Sequence, residues 1–433
     1  MPFEAAGQGF RKRIAVIGGG ISGMSAAHML ADHHNVTLFE AAPRLGGHAR
    51  TVLAGKHGNQ PVDTGFIVFN YANYPLMADL FAKLDVPVEK SDMSFGASVA
   101  GGRIEYGLAS LNAVFAQRSN IANPRYLRML RDVFRFNANA LDFAKAHPDL
   151  TIGAFIRQMG LSDWFRDFYL LPLSGAIWST PVDAILDFPA HAMVQFFENH
   201  ALLHHTGQHQ WYTVSGGSVE YVKRLGSRLQ TQGAELRLGA AVKSVTRRAG
   251  QVEINIAGQA PEFFDEVVFA THSDDTLWML TNPTPGERAA LGQIAYQPNR
   301  ITLHADDAVM PKRKACWSSW NYSDAPGRLN GQIDLTYWMN RLQNIDPSDP
   351  LFVTLNSSRP IRDEMIYDEV TMRHPVYTRD ALKAQDQIAA FNGANHTWFC
   401  GAWMRHGFHE DGIWSAAQVA EKLNSSVSVG VAA

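Results

Sequence analysis

At 433 residues the chain exceeds one ordinary domain, and 46% hydrophobic content with 11% aromatic content is enough to fill two cores. A net charge of -3 excludes a general electrostatic pull toward nucleic acid, so no nucleic-acid partner is expected. The two cysteines, Cys316 and Cys400, have neither metal nor redox spacing, so no metal site is expected and a cytoplasmic location with free thiols is. Taken in chain order, residues 1–13 have no apolar core of the signal-peptide kind, and no later run approaches the ~18 apolar residues of a membrane span. Ile14 to Ile17 then reads as a strand buried on both faces. Gly18, Gly20 and Gly23 follow in a G-x-G-x-x-G spacing, with Ser22 inside it. The first glycine permits the turn, the second lets a pyrophosphate approach the backbone, and the third lets the helix pack on the strand. Val36 to Phe39 predicts a second strand ending in Glu40, placed to accept hydrogen bonds from a ribose diol.

Further along, Pro124 suits the first turn of a helix that carries Arg125, Arg128, Arg131 and Arg135 at helical spacing. Such a stripe suits either solvent or an anionic lipid surface, the latter implying peripheral contact with the inner face of a membrane. Tyr212 to Val222 places a glycine pair before a helix, and Ala234 to Val245 reads as two strands. Asp265 to Thr271 is another buried strand. Arg300–His304, Gln332–Trp338 and Leu351–Leu355 have strand character as well, while Trp398 to Trp403 and Gly407 to Ala417 predict a strand, a loop and a helix start. Only one dinucleotide fingerprint is present. The expectation is therefore that the organic substrate itself reduces the cofactor, not a nicotinamide.

The segment Glu40–Thr51, with Ala41, Arg44 and the pair Gly46 and Gly47, resembles the one that follows the first βαβ unit in the flavin-containing amine oxidase superfamily. Asp63–Phe66, Tyr212–Val222 and the C-terminal stretch extend the resemblance over the whole chain. It implies an α/β fold: a Rossmann-like FAD-binding domain of the glutathione-reductase and amine-oxidase type, interleaved with a substrate domain of mixed sheet plus helices. The expected divisions are 11–90, 207–295 and 396–425 for FAD, with 91–206 and 296–395 for substrate. It also implies non-covalent FAD. Arg44 would stand beside phosphate or ribose, Gly65 and Phe66 would close the first flavin segment, and Val242 would meet the adenine through its backbone. Gly401, Phe408, His409, Gly412 and Ile413 would lie where the last helix faces the flavin. His48 replaces a usual arginine, which weakens the expected phosphate clamp at that point.

Relatives that oxidise amines carry a lysine on a substrate-domain strand and two aromatic rings beside the flavin. Here the stretch Tyr296–His304 has no lysine, and Arg300 and His304 are its ionisable members. The aromatic candidates are Phe408, Trp403 and Trp414. His304, Glu410 and Arg300 are thus the candidate catalytic residues, each competing with a structural hydrogen-bonding role. Leu303–Asp306, Trp317–Tyr322, Leu335–Gln343 and Gly407–Gly412 resemble a subgroup encoded beside, or fused to, cyclopropane-fatty-acyl-phospholipid synthases, with members implicated in furan fatty acid formation. This implies an acyl-lipid substrate and a lipid methyltransferase partner. The expected cavity is an apolar tunnel, lined partly by residues 91–206 and by Tyr337 and Trp338, ending near Phe408 with the arginine stripe at its mouth.

Overall fold

The computed structural model describes residues 11–178, 185–204, 207–324 and 333–429, with the side chains of 426–429 excepted. The expected strand Gln332–Trp338 is present as Asp334–Trp338, and Gln332 lies outside the described residues. A five-stranded parallel sheet runs in the order Glu235–Arg237, Asn35–Phe39, Arg13–Ile17, Glu266–Phe269, Thr397–Phe399. Its inner strands are short apolar runs buried on both faces, as a parallel sheet covered on both sides requires. The helix Ile21–Ala31 follows the first strand and packs along the C-terminal helix His409–Val429.

Gly23 shows why the fingerprint is strict. A Cβ there would lie 1.8 Å from the Gly18 carbonyl oxygen, so any side chain would push helix and strand apart. Gly18 itself has φ +109°, and its N–H donates to the Phe39 carbonyl at 2.8 Å.

A seven-stranded mixed sheet builds the other layer, in the order Ile366–Val376, Ala295–His304, Phe352–Leu355, Asp334–Trp338, Trp320–Ser323, Phe95–Val99, Ile104–Gly107. Helices from residues 111 to 199 cover it. The longest, Pro124–Ala146, begins where the sequence places it: the Asn123 side chain accepts from the N–H groups of Arg125 and Tyr126. It buries Tyr126, Met129, Phe136, Ala140 and Ala144, leaving the arginines outside. None of its residues lines the cavity described below.

Three apolar cores result, one beneath the mixed sheet and one on each face of the parallel sheet. Trp211 and Phe408 pack against the mixed-sheet core and the core shared with the helix Ile21–Ala31, which marks the seam. Buried Asp63 crosses the same region, accepting from Thr51 Oγ1 at 2.6 Å, the Ser218 N–H at 2.9 Å and Gln343 Nε2 at 3.0 Å. Burial raises its carboxyl to about 6. Among the described residues no helix is long and apolar enough to cross a membrane.

Candidate flavin and substrate cavity

A cavity of about 600 Å³ lies along the seam. One end is made of glycine turns. Gly18, Gly19, Gly20, Ile21 and Ser22 line it together with Glu40, Ala41, Gly46, Gly47, His48 and Gly65. The two glycine segments cross at van der Waals contact: the Gly46 N–H donates to the Gly19 carbonyl at 2.8 Å, and a Cβ on Gly47 would stand 3.0 Å from the Gly20 Cα. Gly47 also has φ +55°. The helix behind them, Ile21–Ala31, has no side-chain cap and no acid in its first turn. Its free N–H groups and dipole leave an uncompensated anion site at the cavity wall.

Glu40 completes this end. Its two oxygens accept from the Gly19 N–H at 2.6 Å and the Ala42 N–H at 2.7 Å. The carboxylate is thereby fixed, with lone pairs remaining for a diol. An uncapped helix start, a bare backbone cradle and an oriented carboxylate fit the pyrophosphate and ribose of a dinucleotide.

Several expected cofactor contacts play other parts. Arg44 donates to the carbonyls of Leu45, Gly47 and Ala49 at 3.1, 2.9 and 3.2 Å, so it holds the glycine turn in shape and does not line the cavity. Gly412 is a packing residue: a Cβ there would meet Ser22 Oγ at 2.8 Å, where the two helix N-termini touch. Ile413 is core, and Gly23 and Val242 also stand outside the cavity wall. Gly401, Phe408 and His409 do line it, as does Phe66, whose ring stacks on His409 at 4.0 Å.

The three candidate catalytic side chains do not meet at the cavity. His304 is fully buried in the mixed sheet, with Nε2 2.7 Å from Thr354 Oγ1 and Nδ1 accepting the Asp306 N–H at 3.1 Å. Burial lowers its imidazole to about 4, so the ring is a neutral structural link. Arg300 is exposed and pairs with Glu369. Glu410 accepts the N–H groups of Leu76 and Met77, both at 3.0 Å, and so caps the helix Pro75–Lys83. None of the three lines the cavity.

Other residues do. His272 and His374 flank His48, with ring centroids 5.9 and 5.4 Å from it, and His48 Nε2 lies 3.2 Å from the Arg373 carbonyl. Burial drives His272, His374 and His409 each down to about 3, which leaves the imidazoles neutral. His272 follows the end of a parallel strand, where a ligand is expected at the carboxyl edge of such a sheet, so that rule alone could have found it. His374 has no such signal, since only the pairing of Ile366–Val376 with Ala295–His304 brings it in.

The opposite end is aromatic and apolar, with Met93, Ile177, Trp178, Trp211, Trp320, Tyr337 and Tyr377. Trp338 was expected beside Tyr337 but lies off the cavity, edge-on to Trp317 at 5.4 Å. Adjacent strand residues face opposite sides, so only one of the pair can reach the cavity.

Fold and cavity together define a flavoprotein. The family described as "Flavin containing amine oxidoreductase" matches residues 21–353, and the chain belongs to it. It is an FAD-dependent oxidoreductase. Among curated relatives, the FAD-dependent oxidoreductase dbaF of Emericella nidulans is 38% identical over 105 residues, covering 24% of this chain and 22% of that protein. Flavin-containing amine oxidase A of Equus caballus is 55% identical over 53 residues, 12% of this chain and 10% of the relative. The chain thus matches between 10% and 22% of these relatives' length.

Solved structures are similar over nearly the whole chain. The CLA-producing fatty acid isomerase from P. acnes has a TM-score of 0.66 at 16% identity, covering 95% of this chain and 98% of that one. Putrescine oxidase bound to putrescine gives 0.65 at 11% identity, covering 96% and 99%. Cyclohexylamine oxidase from Brevibacterium oxydans gives 0.63 at 14%, covering 96% and 100%. At these identities the likeness is one of fold.

Proposed function

We propose that this oxidoreductase removes a hydride from a hydrophobic substrate, the acyl chain of a lipid. The observation that carries the reading is that no free anion stands at the cavity wall among the described residues. Among the described residues, the carboxylates lining the cavity are Glu40 and Asp275. Glu40 is held by two backbone N–H groups, and Asp275 is paired with Arg373 at 2.5 Å. No lysine lines the cavity among the described residues, and the imidazoles there are held neutral. Among the described residues an ammonium substrate would find ring faces but no partner anion, whereas an acyl chain would be covered by Met93, Ile177, Trp178, Trp320, Tyr337 and Phe408.

Bound FAD supplies a two-electron acceptor. The chain's own residues exclude water and hold one C–H bond in place, which matters for a substrate with no charge near the reacting carbon. Loss of a hydride and a proton from neighbouring carbons would leave a double bond, with both electrons and both hydrogens passing in the end to dioxygen, as hydrogen peroxide, or to another acceptor. The fatty acid isomerase is a neighbour whose substrate class fits this cavity. The resemblance to proteins encoded beside lipid methyltransferases fits a substrate already modified on its chain. Fold neighbours that act on amines supply the competing reading.

Anaerobic mixing separates them. With the FAD-loaded protein, bleaching near about 450 nm by acyl phospholipid and not by primary amines or polyamines is the expected result. Bleaching by amines alone would overturn it in favour of amine oxidation. Bleaching by neither would favour an accessory role beside a methyltransferase.

A further inference from the structure

We infer that the surface built from residues 103–135, with the adjoining Lys312 and Lys314, docks on an anionic lipid bilayer. Two independent features coincide there. The first is charge. Between residues 93 and 141 the acids are Glu105 and Asp132, and both side chains are fully buried. Arg103, Arg118, Arg125, Arg128, Arg131 and Arg135 are all exposed. Buried Glu105 also pairs with Arg313, and its carboxylate accepts the Lys312 N–H, which holds the segment with exposed Lys312 and Lys314 against the same region. A protein of net charge -3 therefore carries one stretch, residues 103–135, whose own exposed charges are all positive, while the neighbouring exposed Asp163 and Asp167 are paired with Arg166.

The second feature is apolar. Leu111 is 78% exposed and Ile121 54%, and Leu108 and Leu127 are exposed as well. These side chains belong to one unit. Tyr126 Oη donates to the Val114 carbonyl at 2.7 Å, the rings of Phe115 and Tyr126 lie 6.0 Å apart, and Arg118 donates to Asn112 Oδ1 at 2.7 Å. The short helix Leu111–Val114, the turn after it and the first turns of Pro124–Ala146 thus form a single buttressed edge. On the long helix Leu127 is exposed one turn before Arg131, on the outward side that also carries Arg128.

Aliphatic side chains standing singly among arginines match the depth profile of a bilayer surface. The cations meet headgroup phosphates while the aliphatic tips enter the acyl boundary beneath. A nucleic acid would match the charge but leave the leucines against phosphate or water. A protein partner would want a contiguous, closely packed apolar centre. The inference rests on this surface alone and stands whether or not the substrate is a lipid.

Vesicle co-sedimentation of the FAD-loaded protein tests it without reading activity. The protein should pellet with phosphatidylcholine vesicles containing about 30 mol% phosphatidylglycerol at low salt, less at high salt, and not with phosphatidylcholine alone. At roughly fivefold per arginine, Arg128→Glu with Arg131→Glu should weaken partition more than about twentyfold. Leu111→Ser with Leu127→Ser should weaken it several-fold at either salt. Unchanged flavin content and thermal midpoint would show that these exposed substitutions leave the fold intact. Failure to pellet with anionic vesicles overturns the inference, as does binding that neither double variant alters. Retention on heparin without vesicle binding also overturns it, pointing to a polyanionic macromolecule instead.

Discussion

Replacing Glu40 with alanine should strip the protein of its flavin. The carboxylate is held by the N–H groups of Gly19 and Ala42 at 2.6 and 2.7 Å, so it meets the ribose diol without being reorganised first. Hydrogen bonds to a charged group are worth about 1.5–3 kcal/mol each, and a diol makes two. The loss is therefore at least about hundredfold in FAD affinity. The variant also leaves the Gly19 and Ala42 N–H groups without their acceptor, loosening the turn that shapes the phosphate cradle. The flavin-to-protein ratio after purification, followed by titration with FAD, reads both effects. A variant that stays fully yellow would remove Glu40 from the ribose site.

The second large effect is acid lability of the protein. Burial lowers His200 and His304 to about 4, and His272, His374 and His409 to about 3, against an ordinary 6.5. His34, His48 and His406 shift the same way. Below 6.5 the unfolded chain binds protons that the folded chain does not. Stability is thus full above 6.5 and falls as the pH drops toward 4, by up to about 1.4 kcal/mol per pH unit for each imidazole. Asp63 and Asp411 act in reverse. Burial raises each from 3.8 to about 6, so they gain protons first in the folded state and add stability between 6 and 3.8. The five strongly lowered imidazoles outweigh the raised carboxyls, which include Glu410 and Asp275 as well. The thermal midpoint should fall by roughly 5–10 °C between about pH 7.5 and about pH 5.5. A midpoint that is flat or rising over that range would show that the imidazoles are not held neutral.

What the sequence reveals of this site is what is local along the chain. Gly18, Gly20, Gly23 and Glu40 belong to one strand–turn–helix–strand unit, and their spacing carries its own steric reason. Gly46 and Gly47 follow directly, and their crossing over Gly20 needs only that unit to exist. The catalytic candidates fail for a reason of direction. Along the strand Ala295–His304, the Tyr296 end reaches the cavity region, its ring stacking on His272 at 4.2 Å. His304 lies about 26 Å further along, inside the sheet. Residue types show that such a strand carries ionisable groups but not which end meets the cofactor. Glu410 misleads in another way: an acid at a helix start reads as available, yet its oxygens serve the first turn of a neighbouring helix. Of the histidine cluster, His48 follows the glycine pair and His272 the end of a parallel strand, both readable along the chain, whereas His374 is brought in only by the pairing of Ile366–Val376 with Ala295–His304.

We propose that one continuous cavity takes FAD at its glycine end and an acyl chain at its aromatic end. A crystal structure of the FAD-loaded protein soaked with a fatty acyl ligand tests this most directly. The predicted result is density for the adenosine ribose against Glu40, pyrophosphate at the start of Ile21–Ala31, and an extended chain running between Trp178, Trp320, Tyr337 and Phe408. A chain bound elsewhere, or an aromatic end already filled by the cofactor, would contradict it.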